Sequence, residues 1–152
     1  MIYLPYSDIG EILQVSSSPF TGRESIYTDL LPDAVGTLST TDDTVSNATS
    51  KIELYSTPAI VAKTVIGVPT TLTTSVNTTL SITGVPSTVS VVATLGDELT
   101  GIKENGNPDN GYELTSIPDG TLEFTTDLAG DYTLVFTSPI YLETTTVITV
   151  TE

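Results

Sequence analysis

Between residues 70 and 150, short runs of β-branched and apolar residues recur at intervals of about 8–12 residues, and turn-forming residues separate them. No other feature of the chain constrains its fold as strongly. The spacing predicts strands over 71–76, 79–83, 88–95, 99–102, 112–116, 121–125, 131–137 and 144–150. Leu80 and Ile82 alternate with Thr79, Ser81 and Thr83. Leu122 and Phe124 alternate with Thr121, Glu123 and Thr125. Tyr132, Leu134 and Phe136 alternate with Asp131, Thr133, Val135 and Thr137. A period of two buries one side of a sheet and leaves the other in water. The expected core therefore includes Leu122, Phe124, Tyr132, Leu134 and Phe136. The architecture implied is all-β, a two-sheet sandwich of about seven strands.

Composition supports this reading. The chain is 38% hydrophobic but only 7% aromatic and has no Trp, so its core must come mainly from Val, Ile and Leu. Val, Ile and the abundant Thr are stiff at χ1 and favour extended backbone. Nine prolines and eleven glycines are spread along the chain, which leaves little room for helix. The Thr clusters at 70–74 and 144–146 lack the regular spacing of a ligand-facing ladder and are expected to form ordinary solvated β surface.

The first 67 residues are organised differently. Two short apolar-rich runs, 2–6 and 11–15, flank Asp8-Ile9-Gly10 and predict a β-hairpin with Ile2, Leu4, Ile12 and Val15 as buried positions. A lone hairpin is marginal in water and must pack on something. Residues 16–50 show little hydrophobic periodicity and are expected to form a loop or extended arm. Ser25–Leu31 is the one stretch there that could make a helical turn. The arm carries Ile26, Tyr27, Leu30 and Leu31 in a tight cluster. Strand character returns at Ile52–Tyr55, Ile60–Ala62 and Val65–Ile66, and Gly67-Val68-Pro69 closes the segment. The expected division is 1–67, an N-terminal hairpin and anchoring arm, and 68–152, a β-sandwich domain. Gly106–Gly111 is the expected exposed loop of the sandwich.

The segment Asp127-Leu128-Ala129-Gly130-Asp131-Tyr132-Thr133-Leu134 resembles the approach to strand F of immunoglobulin-like (Ig-like) domains. The resemblance covers roughly residues 68–151 and implies an Ig-like β-sandwich. Tyr132 would then be the corner tyrosine whose hydroxyl bonds back to the backbone, and Leu134 would take the place of the usual cysteine. With neither Cys nor Trp, the chain departs from the antibody-type pattern.

The layout of the whole chain resembles small accessory structural proteins of tailed bacteriophages. The residues that carry this are the opening Ile2-Tyr3-Leu4-Pro5-Tyr6-Ser7-Asp8-Ile9-Gly10-Glu11-Ile12-Leu13, the irregular arm after it, and an Ig-like domain that ends in Tyr141–Val150. The resemblance implies that the N-terminal part attaches to other virion structural proteins, in the tail, neck or capsid, while the domain projects. Ile2, Leu4, Ile12, Ile26, Tyr27, Leu30 and Leu31 are the candidate anchor residues. Many symmetric copies are expected in such a particle.

The chemistry available to the chain is narrow. His is absent, which removes the commonest general base and metal ligand. Cys is absent, which removes thiol nucleophiles, disulfides and thiolate metal sites. Carboxylates such as Asp97, Glu98, Asp119 and Asp127 are plentiful, but without aromatic platforms to hold a sugar no glycosidase is expected. Asp97, Glu98, Asp109 and Asn110 offer oxygens to Ca²⁺, yet none has the spacing of a dedicated calcium loop. The expectation is a non-enzymatic protein without cofactor or metal. Its net charge is −15, with Arg23, Lys51, Lys63 and Lys103 as the only basic residues. Such a chain repels phosphate backbones and anionic membranes, so no nucleic-acid or membrane partner is expected. Two function classes remain. One is a virion structural component, synthesised in the host cytoplasm. The alternative is a surface or secreted Ig-like adhesion module that binds glycan or protein. The opening residues lack a basic region followed by a long apolar stretch, so no signal peptide is expected, which favours the virion.

Overall fold

A computed structural model of the chain describes residues 1–17, 31–54, 57–102 and 113–152. These residues are all-β, with no helix among them, and form multiple sheets. The chain divides into two compact units, Met1–Thr64 and Val65–Glu152. The division expected from the sequence, after Gly67, lies three residues further along the chain.

In the first unit, β1 (Ile2–Tyr6) is the centre of a three-stranded antiparallel sheet. β2 (Ser16–Ser17) lies on one side of it and β3 (Gly36–Thr40) on the other. The register sets Leu4 opposite Leu38 and Tyr6 opposite Gly36. β4 (Ser50–Glu53) and β5 (Ala59–Ala62) form an antiparallel pair with Ile52 opposite Ile60. Leu4, Ile12 and Ile52 are buried together, and Ile2, Tyr6, Leu38, Val45 and Ile60 pack against them.

This arrangement corrects two expectations. Residues 11–15 do not form the second strand of a hairpin; Tyr6 and Ile12 make a single antiparallel bridge, and β1 pairs with β2 and β3 instead. Val15 is exposed rather than buried. Nor is 16–50 wholly irregular, because β3 runs the length of β1 and contributes Leu38 to the core. A strand as polar as Gly36–Thr40 shows no periodicity of its own; its pairing is imposed by the exposed edge of β1. The helical turn expected at Ser25–Leu31 lies, but for Leu31, outside the described residues.

β6 (Thr64–Val65) falls at the division between the units. The second unit then runs through β7 (Thr71–Ser75), β8 (Leu80–Thr83), β9 (Ser90–Leu95), β10 (Glu98–Thr100), β11 (Glu113–Leu114), β12 (Thr121–Phe124), β13 (Gly130–Thr137), β14 (Tyr141–Leu142) and β15 (Thr144–Thr151). One sheet has the order β10-β9-β13-β15-β7, with β11 also on β9. A second is the pair β12-β8, and β14 pairs with β6 in a further two-stranded sheet. β7 joins β15 in parallel, whereas β13 pairs antiparallel with both β9 and β15. The expected loop Gly106–Gly111 lies outside the described residues.

The large sheet and the β12-β8 pair feed one core, which is consistent with a β-sandwich. Ile82, Leu122 and Phe124 come from the small sheet; Val91, Ala93, Tyr132, Leu134, Phe136, Ile148 and Val150 come from the large one. Phe124 meets Tyr132 edge-on across the layers, with ring centroids 5.2 Å apart and an interplanar angle of 67°. Such contacts favour the packed state by about 0.5–1.5 kcal/mol beyond area burial. Thr146 is fully buried on β15, and its hydroxyl donates to the Pro69 carbonyl at 2.6 Å, so the inward polar group is satisfied.

Candidate functional site

The first unit is the candidate attachment region, and its geometry begins at the turn after β1. The Ser7 N–H donates to the Glu11 carbonyl at 3.0 Å, and the Gly10 N–H donates to the Ser7 carbonyl at 3.1 Å. The Ser7 hydroxyl accepts the Glu11 N–H at 3.2 Å. Gly10 sits at φ +85° and its carbonyl accepts the Ile52 N–H at 2.8 Å. A Cβ there would clash with the Ile52 carbonyl oxygen. The position therefore demands glycine twice over, for its left-handed backbone and for the close approach of β4. This contact ties the turn to the β4–β5 pair and holds Ile9 out at the tip, where it is exposed.

The candidate anchor residues divide into three groups. Leu4 and Ile12 are almost wholly inaccessible. They fill the unit's own core, so the reading of a front hairpin with apolar side chains it cannot bury is corrected: these two present nothing to a partner. Ile2 and Leu31 are half-buried. Ile26, Tyr27 and Leu30 lie outside the described residues. Sequence reasoning missed the apolar residues that are accessible, namely Met1, Ile9, Val15, Val35 and Leu54. They sit at turns and strand ends, where periodicity carries no signal.

Electrostatics in this unit are sparse. Lys63, whose N–H donates to the Thr49 carbonyl at 2.7 Å, has its ammonium pKa lowered by partial burial, with Glu11 pulling it back up. The carboxylate of Asp42 accepts the Thr44 hydroxyl at 2.7 Å and the Thr44 N–H at 2.9 Å, which together lower its pKa. The same bonds close a tight turn after β3.

In the second unit Leu122, Phe124, Tyr132, Leu134 and Phe136 are all buried. Tyr132 reaches back along its own chain: its hydroxyl donates to the Leu128 carbonyl at 2.9 Å and lies 2.8 Å from the Thr126 hydroxyl. Thr126 Oγ1 in turn accepts the Leu128 N–H at 3.2 Å. This closed set pins the turn before β13. Two of the unit's carboxylates brace neighbouring backbone or side chains. Asp119 accepts the Thr121 N–H at 3.0 Å, and Asp131 accepts the Thr149 hydroxyl at 2.8 Å. Among the described residues no three acidic side chains are gathered as metal ligands. Asp109 and Asn110 lie outside them.

Comparison with protein-family models, with curated proteins and with solved structures finds no match to this chain in any of the three. The functional reading therefore rests on the chain's own residues.

Proposed function

We propose that the protein is a non-enzymatic structural component of a tailed-bacteriophage particle, a tail, neck or capsid accessory protein. Its N-terminal unit attaches to other virion proteins, and its C-terminal unit is an Ig-like domain that projects. The Ig-like type is supported by strand order. β8 and β12 pair as strands B and E do, while β9, β13 and β15 adjoin in the order of C, F and G. The bond from Tyr132 to the Leu128 carbonyl supports it further, because it is the bond a corner tyrosine makes.

The attachment reading is carried by one observation. Among the described residues, the first unit's cluster of buried apolar side chains is Leu4, Ile12 and Ile52, while Met1, Ile9, Val15, Val35 and Leu54 are accessible. A unit of about 60 residues buries a smaller share of its surface than a larger domain does and is marginal alone. Each accessible Val, Leu or Ile that a partner covers contributes roughly 1.5–3 kcal/mol before ordering costs. Attachment would thus stabilise the unit while holding the chain on the particle.

The test is co-sedimentation with particles that lack the protein, comparing the full chain with residues 65–152. The expected result is that the full chain binds to saturation and the fragment stays in the supernatant as a folded domain. Binding of the fragment at full occupancy would move the anchor into the sandwich and end this reading.

A further inference from the structure

The Thr run 144–146, expected to be ordinary solvated surface, takes two different roles on β15. Thr145 is exposed, but Thr146 is fully buried and Thr144 is half-buried. Both of the latter turn their hydroxyls onto the stretch that leads into β7. The Thr144 hydroxyl accepts the Ile66 N–H at 3.3 Å and donates to the Leu142 carbonyl at 3.3 Å. The Thr146 hydroxyl donates to the Pro69 carbonyl at 2.6 Å. Residues 66–69 are not a strand, and Pro69 has no N–H to offer a sheet. Side-chain hydroxyls thus carry the grip of β15 back along a stretch where ladder pairing stops.

From Thr70 onward the backbone takes over. The Val147 N–H donates to the Thr70 carbonyl at 2.9 Å. β7 then pairs with β15 in parallel, from Thr71 opposite Val147 to Ser75 opposite Thr151. The Val76 N–H donates to the Thr151 carbonyl at 2.9 Å. Ile66 and Val68 are buried in the core of the unit, and Leu72 and Val76 pack against it. Residues 66–76 therefore make one strap, gripped along its length by a single strand.

We infer that this strap is a mechanical clamp, which carries tension between the chain entering the unit at Val65 and the far end of β15. Two strands that run the same way and are pulled from opposite ends slide past one another. Every bond between them is then loaded at once, whereas a pull at one shared end breaks them in turn. Parallel pairing is no stronger per residue than antiparallel pairing. The resistance comes from the direction of loading, and from the two hydroxyl bonds and the buried Ile66 and Val68 that must give way together. That the clamp bears load in service rests on the attachment reading, in which tension enters from the first unit. Pulling the free chain tests the clamp without particles, so the two readings fail separately.

Single-molecule pulling of the full chain decides the matter. The chain has no Cys, so handles can be attached at chosen cysteines. Val65, Asn77 and Glu152 are all exposed. Val65→Cys with Glu152→Cys loads the strap in shear. Asn77→Cys with Glu152→Cys leaves the strap out of the tension path and peels β15 from its end. Forced unfolding reads the unfolding rate, and at equal pulling speed the first pair should need about twice the rupture force of the second, or more. Thr146→Val should lower the first force and leave the second unchanged, and Thr146→Ser, which keeps the hydroxyl, should retain it. The comparison of directions needs no core substitution, so it stands even where Thr146→Val fails to fold. Equal forces in the two directions would overturn the inference. So would a Thr146→Val variant that changes neither force, or that lowers both alike.

Discussion

The two units answer the same problem, how to bury enough apolar surface, in unequal ways. Among the described residues, Val65–Glu152 gathers seventeen buried side chains, from strands and the loops between them, into one cluster. Among its described residues Met1–Thr64 gathers three in its cluster, and backbone pairing around β1 and the Gly10–Ile52 contact help to close it. Burial contributes roughly 25 cal/mol per Å² of apolar surface, so the second unit has the larger reserve against the entropy of folding. The difference teaches where function can reside. A unit with reserve keeps its shape in or out of an assembly. On the proposed reading, a unit near the margin would gain order from a partner, and its accessible apolar residues are where that gain would be made.

The largest expected effect falls in the second unit. Leu134 is fully buried at the centre of β13, and Leu134→Ala should cost about 2–5 kcal/mol through the cavity it leaves. Chemical denaturation should show the main transition moved to lower denaturant, with any separate transition of the first unit unmoved. A shift shared by both would mean the units unfold together and would break the comparison.

The next effect isolates the first unit. Gly10→Ala forces a Cβ against the Ile52 carbonyl and an L-residue into φ +85°. The backbone strain alone costs about 1–3 kcal/mol. Loss of the amide dispersion of residues 1–54 in NMR spectra, with the sandwich signals unchanged, is the expected outcome. An intact spectrum would show that the turn does not depend on this approach. Tyr132→Phe should do less, about 1–2 kcal/mol, since it removes the hydroxyl from Leu128 and Thr126 but keeps the ring against Phe124. An unchanged melting midpoint would show that the corner bond contributes nothing to the second unit's reserve.

How far these features were legible in the sequence differs between the units for the same physical reason. The runs from Leu80 to Val150 sit half in core and half in water, so the pleat writes itself into the sequence as alternation. β8, β12, β13 and β15 follow from it to within a residue or two. β1 is different: Tyr3, Leu4 and Pro5 are all buried, both its sides are covered, and alternation is absent. β3 is polar and takes its register from β1, so nothing in Gly36–Thr40 announces a strand. The Gly10–Ile52 approach links residues 42 positions apart, and no local pattern encodes such a contact.

Hydrogen exchange tests the central claim, unequal stability with function in the weaker unit, most directly, because it reads local opening free energies across one intact chain. In the free protein the amides of Leu4, Leu38 and Ile52 should exchange orders of magnitude faster than those of Leu134 and Ile148. On particle-bound protein the first set should slow sharply while the second changes little. Equal protection of both sets in the free chain, or slowing confined to the sandwich on binding, would contradict the account.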